Sequence, residues 1–327
     1  MKALVSGYTG QDGQYLTKLL LEKGYEVIAM VRRVSTEPPT RNRIDFYSDN
    51  LTIVTADLTD YKSIADVINK YQPDEIYNLA AQSHVAISFE QPILTTEIDY
   101  VGFVNIVHAL EREHKGTWKL YQASTSEMFG DKTGTPILNE DTPLNPNSPY
   151  AIAKTAAHFY ARSKRNQGKF ISCGILFNHE SPIRGGDFVT QKIAKGAKNF
   201  VLHGDKFELG NLNSVRDWGH ARDYVEAMYL MLQHSNPDEF IIATGETHTV
   251  REFVTEAFAA LNKEIVWSGD GVNEIGRVDG KIAVRVNPEY YRPNEVPYLK
   301  GDATKAHKVL GWKPKTSFSE LIKEMVC

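Results

Sequence analysis

Between a short apolar run, Lys2 to Ser6, and a helix-length amphipathic stretch reaching Lys23 stands the segment Gly7-Tyr-Thr-Gly10-Gln-Asp-Gly13. Three glycines at that spacing, where a strand hands over to a helix, constrain the chain more than any other feature. They let the backbone approach an anion at the positive end of a helix, and the pyrophosphate of a dinucleotide suits such a turn. Close strand-on-helix packing is the alternative use for the same glycines. The position after the first strand favours the dinucleotide.

The alternation then repeats. Tyr25 to Val31, Leu51 to Ala56 and Glu75 to Ala80 read as strands, followed by Trp118 to Ala123 and Phe170 to Phe177. Helical patterns lie around Ile93 to Glu113 and Tyr150 to Asn166. Parallel strands with crossover helices account for this order, so the expected fold is α/β, a Rossmann-type doubly wound parallel sheet. Beyond Asn178 the elements shorten: helices near Asp187 to Lys198 and Ala221 to Gln233, an apolar run Phe240 to Ala243, and a strand-like pair at Ile265 and Ile282 to Val286. This texture predicts a smaller mixed α/β carboxy-terminal substrate domain. If Phe240 to Ala243 rejoins the main sheet, the two units interleave, residues 1–177 with about 212–243 against 178–211 with about 244–327.

Composition excludes several classes. With 42% hydrophobic and 24% charged residues the chain is neither disordered nor collagen-like. A net charge of -4 carries no basic excess for nucleic acid or an anionic membrane. Its two cysteines, Cys173 and Cys327, outline neither a metal cluster nor a disulfide framework, and no metal is expected. No secretion signal or membrane-spanning run is visible, so an unanchored cytoplasmic protein is expected.

Three further places carry chemistry. The second strand runs into Arg32-Arg33, where an acid would hold a ribose hydroxyl of NAD; an Arg pair suits the 2'-phosphate of NADP, with a solvated basic loop as the alternative. In Asn147-Ser-Pro-Tyr150-Ala-Ile-Ala-Lys154, Ser148 is placed to cap a helix and Pro149 to open it. Tyr150 and Lys154 then share a helix face. A phenol near the positive helix end and beside an ammonium is biased towards phenolate. Bringing a Tyr near neutrality takes roughly 3 pH units, about 4 kcal/mol, more than a helix end supplies. The alternative is a core Tyr and a surface Lys. Finally, Ala123-Ser-Thr125-Ser-Glu127 follows the fifth strand. An extended terminus there would point Thr125 and Glu127 to one side, Thr125 towards a sugar hydroxyl and Glu127 as a carboxylate for a second proton. A loop salt bridge is the other use for Glu127.

With the glycine turn, Ser/Thr-Ser-Glu and YxxxK in this order, the chain resembles the extended short-chain dehydrogenase/reductase family and, more closely, its GDP-mannose 4,6-dehydratase branch. Tyr77-Asn-Leu-Ala-Ala-Gln-Ser-His84, Tyr121-Gln-Ala-Ser-Thr-Ser-Glu127, Gly174-Ile-Leu-Phe-Asn-His-Glu-Ser-Pro182, Arg216-Asp-Trp-Gly-His220 and Tyr291-Arg-Pro-Asn-Glu295 extend that likeness. The resemblance implies Tyr150 as base in the oxidation of a sugar C4, Lys154 as its electrostatic partner, Thr125 as hydroxyl contact and Glu127 as proton carrier for elimination. For NADP it implies Gly7, Thr9, Gly10, Gln11, Asp12 and Gly13 of the turn, with Arg32, Asp57 and Leu58. Leu79, Ala80, Ala81, Gln82, Ser83, His179 and Arg184 join them, besides Tyr150 and Lys154. For a GDP-sugar it implies Asn178, Lys192, Arg216, Arg292 and Glu295 together with Ser83, Thr125 and Glu127.

The resemblance also implies an NADP-dependent 4,6-dehydratase, homodimeric or a tetramer built of two dimers through the helices of residues 93–113 and 150–166. Two departures stand out. Leu144-Asn-Pro-Asn147 replaces an aromatic-Pro-Arg run, which keeps GDP-manno-heptose open beside GDP-mannose, and Val34 to Arg41 differs from the loop that reaches a neighbouring subunit. Rival readings are a nucleotide-sugar 4-epimerase, which has no need of Glu127, and a silent dinucleotide sensor.

Overall fold

The computed structural model describes residues 1–33, 48–131, 137–290 and 296–327. The segment Val34 to Arg41 and the residues Arg292 and Glu295 lie outside these. Seven of the strands are β1 (Lys2–Ser6), β2 (Glu26–Val31), β3 (Leu51–Thr55), β4 (Glu75–Asn78), β5 (Lys119–Thr125), β6 (Ile171–Leu176) and, after four shorter ones, β11 (Glu239–Ile242). These seven form one sheet in the order β11-β6-β5-β4-β1-β2-β3, every pair parallel. β6 is buried at every position and β1 nearly so, as strands covered on both faces must be, whereas the edge strand β3 stays partly open. Phe240 to Ala243 does rejoin the main sheet, through the pairing of β11 with β6. Because β1 lies between β2 and β4, the crossovers diverge there and a crevice opens at the carboxyl ends of β1 and β4.

The helices are α1 (Gln11–Glu22), α2 (Tyr61–Tyr71), α3 (Val85–Glu90), α4 (Pro92–Thr96), α5 (Gly102–Glu113), α6 (Pro149–Asn166), α7 (Val189–His203), α8 (Ala221–Gln233), α9 (Val250–Ala260), α10 (Thr304–Leu310) and α11 (Phe318–Val326). One face of the sheet is covered by α1, α8 and α10, with Leu16, Met228 and Trp312 in its core; the other by α2, α5 and α6, with Ile68, Phe103 and Ala157. The shorter strands are β7 (Asn178–Glu180), β8 (Phe207–Leu209), β9 (Val215–Arg216) and β10 (Trp218–His220), then β12 (His248–Thr249), β13 (Ile265–Ser268), β14 (Ile275–Val278) and β15 (Lys281–Val286). A separate core around Phe253, Phe258, Val284 and Ile322 joins α7, α9 and α11 to the mixed sheet β13-β14-β15-β8. Ile93, Val101, Ile152 and Phe159 remain exposed on the helical region expected to meet a second subunit.

Three local differences from the sequence reading have physical causes. The stretch 93–113 is not one α-helix: Glu97–Val101 is a π turn between α4 and α5, and Gly102 sits so close to Leu58 that a Cβ there would lie 2.7 Å from the Leu58 Cβ. Ile265 and the 282–286 strand do not pair; β14 stands between them, its pattern obscured by Gly276 and a register shift at Gly276/Arg277. β5 stops at Thr125, and Ser126–Phe129 turn into a 3-10 helix capped by the Thr125 hydroxyl, which accepts a bond from the Glu127 N–H. The two-residue period invoked for Thr125 and Glu127 therefore does not operate.

α6 is fastened to the sheet by a buried polar cluster. His158 is 1% exposed, with Nδ1 2.9 Å from the Ser124 hydroxyl and Nε2 3.3 Å from a Glu239 oxygen. Glu239, at the start of β11, also accepts from Arg162 and Arg165 of α6. Burial disfavours a charged His158, but the neighbouring Cys173 and Glu239 side chains outweigh it and push its pKa up to about 9. Burial also disfavours a charged Glu239, and the adjacent His158 with the bonds from Arg162 and Arg165 override that and hold its carboxyl well below the usual range. A raised His pKa stabilises the fold fully below about 6.5, the unfolded value, and this is lost as pH rises through about 9. A depressed carboxylate stabilises above its unfolded value and loses this as pH falls. Chemical denaturation should thus show stability declining from about pH 6.5 to above 9, and Glu239→Gln, which strands Arg165 and His158, should cost about 3–5 kcal/mol and flatten that decline. An equally steep decline in the variant would remove the cluster as its cause.

Candidate active site

A cleft of about 1150 Å³ opens at the carboxyl ends of the strands, and every described residue named above for cofactor or sugar lines it. Its floor is the glycine turn. Gly7 has φ +70°, and a Cβ there would lie 2.7 Å from the Ala80 nitrogen; a Cβ on Gly13 would lie 2.3 Å from the Gly7 oxygen. Gly10 stands at the head of α1 with no side-chain cap, so first-turn N–H groups face the cleft. Ser6 holds the facing loop by accepting from the Leu79 and Ala80 N–H groups, 3.1 Å each, and donating to Asn78 at 2.7 Å. A turn with no room for side chains, opposite a braced backbone loop, fits a dinucleotide pyrophosphate.

Gln11 and Asp12 line this floor but also brace it. Gln11 donates to the His179 carbonyl at 2.8 Å and accepts from Ser181 at 2.9 Å, while Asp12 lies 2.9 Å from His179 Nε2. Burial works against a charged His179, but the Asp12 carboxylate and its bond raise its pKa, and the ring stacks on Tyr224 at 4.6 Å. The sequence offered no sign of this brace, because its partners are about 170 positions apart.

The reactive side chains come from β5 and α6. Ser148 accepts from the Ala151 N–H at 3.1 Å and Pro149 opens the helix, so Tyr150 and Lys154 enter the cleft from the first turns of α6, 8% and 4% exposed. The Tyr150 phenol is hydrogen-bonded to Thr125, and Glu127 is near enough for its charge to act on that phenol. Thr125 and Glu127 thus do face one cleft, by a cap and a helical turn instead of strand alternation. The electrostatics differ from the sequence expectation. Burial first, then the carboxylate of Asp99, drives Tyr150 well above an ordinary phenol, although Thr125 and Arg184 pull the other way. Burial lowers Lys154, and Asp99 opposes that. The chain's own groups therefore keep Tyr150 protonated.

Asn178 of β7, Lys192 of α7, Arg216 of β9 and Ser83 also line the cleft. Arg216 is 7% exposed and donates to the Val215 carbonyl at 2.9 Å, so it is not a surface residue. Lys192 lies over the Tyr290 ring at 5.4 Å. Arg184 meets Glu180 at 3.0 Å and lies 3.5 Å from the centre of the Phe188 ring. Arg32 follows β2, exposed at the edge of the cleft near Asp57 and Leu58. Phe188, the N-cap of α7, and Tyr290, in the short 3-10 turn Pro288–Tyr290, escaped the sequence reading because only long-range closure of the chain brings them to the cleft. No described helix is long and apolar enough to cross a membrane.

The family model described as GDP-mannose 4,6 dehydratase matches residues 4–325. The GDP-mannose 4,6 dehydratase of Drosophila melanogaster is 48% identical over 336 residues, spanning 99% of this chain and 85% of that one. That of Homo sapiens is 48% identical over 335 residues, spanning 99% and 90%. Among solved structures, the UDP-glucose 4-epimerase of Thermus thermophilus in complex with NAD aligns over 100% of this chain and 98% of that one, with a TM-score of 0.83 and 25% identity. The epimerase is similar in fold, whereas the likeness to the dehydratases is nearly twofold higher in identity and extends almost from end to end. With that likeness, and with Thr125, Glu127, Tyr150 and Lys154 gathered on one cleft, the chain belongs to the GDP-mannose 4,6-dehydratase family.

Proposed function

We propose that this chain dehydrates GDP-mannose to its 4-keto-6-deoxy form with NADP, the sheet unit holding the dinucleotide and the carboxy-terminal unit the nucleotide sugar. The observation that carries this reading is Glu127 beside Thr125 and Tyr150, since 4-epimerisation has no use for a carboxylate there. When bound along the glycine turn, the dinucleotide supplies a hydride acceptor for sugar C4 and a donor for C6.

The chain's own residues handle the protons. Tyr150 Oη takes the O4 proton as C4 becomes a ketone, with the Thr125 hydroxyl holding the same sugar oxygen and Lys154 stabilising the phenolate. The ketone acidifies the C5–H bond, and Glu127 removes that proton. Protonated Glu127 then delivers it to the C6 hydroxyl, which leaves as water, so one carboxyl serves as base and acid in turn. The proton lost from O4 balances the one that C5 regains when the C6 methyl forms. Arg216 and Lys192 bring positive charge to the cleft, which suits the diphosphate of the sugar nucleotide.

Glu127→Gln keeps the shape and hydrogen-bonding reach of the side chain but cannot cycle a proton. Turnover should fall by about 10²–10⁴ while GDP-mannose binding, read by calorimetry, changes little. Undiminished turnover would remove Glu127 from the elimination. For the dinucleotide, Arg32 would meet a 2'-phosphate. Arg32→Ala should weaken NADP by roughly 10-fold or more, the loss of a charge-assisted bond, and leave NAD nearly unaffected. Equal weakening of both would make Arg32 a structural residue.

A further inference from the structure

Phe188 stands at the head of α7 as its N-cap, with an extended backbone and no side-chain bond to the first turn. A Ser, Thr, Asp or Asn there would cap the helix, and Phe gives that cap up. Its ring takes no part in the apolar cores. It is half-buried and borders the cleft. Neither helix stability nor core packing therefore accounts for an aromatic side chain at this position.

The ring is fixed by its neighbours. The Arg184 guanidinium lies 3.5 Å from its centre and pairs with Glu180 at 3.0 Å. Glu180 is 2% exposed and accepts from the Thr190 hydroxyl at 2.7 Å. Two backbone bonds close the loop between them, Arg184 N–H to the Ser181 carbonyl at 3.0 Å and Phe188 N–H to the Gly185 carbonyl at 3.3 Å. From the sheet unit the His84 ring meets Phe188 with the ring centres 5.6 Å apart. His84 is held in turn, its N–H donating to Gln82 at 2.8 Å and its Nδ1 accepting from the Ile87 N–H at 3.3 Å. A ring held on this many sides cannot swing away from a ligand that is too large for the space beside it.

Both segments that meet here carry residues named above for the sugar nucleotide. His84 directly follows Ser83, and the Lys192 N–H donates to the Phe188 carbonyl at 2.9 Å. Phe188 is thus one helical turn, about 5.4 Å, ahead of Lys192. With Lys192 on a diphosphate, a side chain one turn away is within reach of the sugar attached to it. An apolar ring suits the C–H face of a pyranose and offers nothing to a phosphate.

We infer that Phe188 is a specificity-determining residue that packs against the hexose of the sugar nucleotide and limits its length. This deepens the dehydratase reading and rests on it. The ring favours mannose by contact and works against a manno-heptose, whose chain carries a further carbon beyond C6.

Calorimetry with NADPH bound, which cannot take a hydride, compares GDP, GDP-mannose and GDP-manno-heptose without turnover. Phe188→Ala should weaken GDP-mannose by about 10-fold while GDP stays within about twofold, because GDP has no sugar for the ring to touch. The affinity for GDP-manno-heptose relative to GDP-mannose should rise by about 10-fold or more, the usual scale for one added carbon in a closed pocket. Phe188→Leu, which keeps an apolar side chain, serves should the Ala variant not fold, with smaller changes in the same directions. Equal weakening of GDP and GDP-mannose would overturn the inference, since it marks the ring as a brace for α7. An unchanged GDP-mannose affinity, or an unchanged ratio of the two sugars, would also overturn it. A selective loss of GDP-mannose with a gain for the heptose, in a protein that dehydrates no GDP-mannose, would uphold the contact and refute the dehydratase reading alone.

Discussion

The seating of α6 against the sheet is the constraint on which the chemistry depends. Tyr150 and Lys154 reach the cleft only because Ser148 and Pro149 start the helix at one residue, and because His158, Arg162 and Arg165 fasten its later turns to Glu239. The Ser124 hydroxyl that meets His158 is adjacent in the chain to Thr125, which touches the Tyr150 phenol. One helix thus registers its reactive end and its anchoring end against the same strand, and a shift along its axis would disturb both.

Buried charge is spent here on position. A buried ion pair is weak evidence for stability, since desolvation offsets most of the attraction. The Glu239 cluster and the His179–Asp12 brace each join segments far apart in sequence, and the second of them borders the cleft. The cores around them are apolar and could hold the elements together; what the charges add is a fixed register between Tyr150, Lys154 and Thr125.

Local signals were readable wherever chemistry and geometry are set by near neighbours. The glycine turn, the Ser148-Pro149 start of α6 and the central strands follow from spacing, and the structure has them within a residue or two. Thr125 and Glu127 are a mixed case: they share the cleft, but through a cap and a 3-10 turn that a period-two pattern cannot express. The π turn Glu97–Val101 was invisible because it interrupts the helix for only five residues inside a stretch of otherwise helical sequence. The bulged β14 hid because Gly276 breaks its alternation. Braces such as Asp12 with His179 depend on long-range closure, which no window of sequence contains.

The central claim is that this chain moves a hydride from C4 to C6 of one sugar and expels the C6 hydroxyl between the two transfers. GDP-mannose labelled with deuterium at C4, incubated with the NADP-loaded protein and analysed by mass spectrometry and NMR, tests it directly. The account predicts a product lighter by one water that keeps its deuterium, now in the C6 methyl group. A product of unchanged mass inverted at C4, or a dehydrated product with no deuterium at C6, would contradict it.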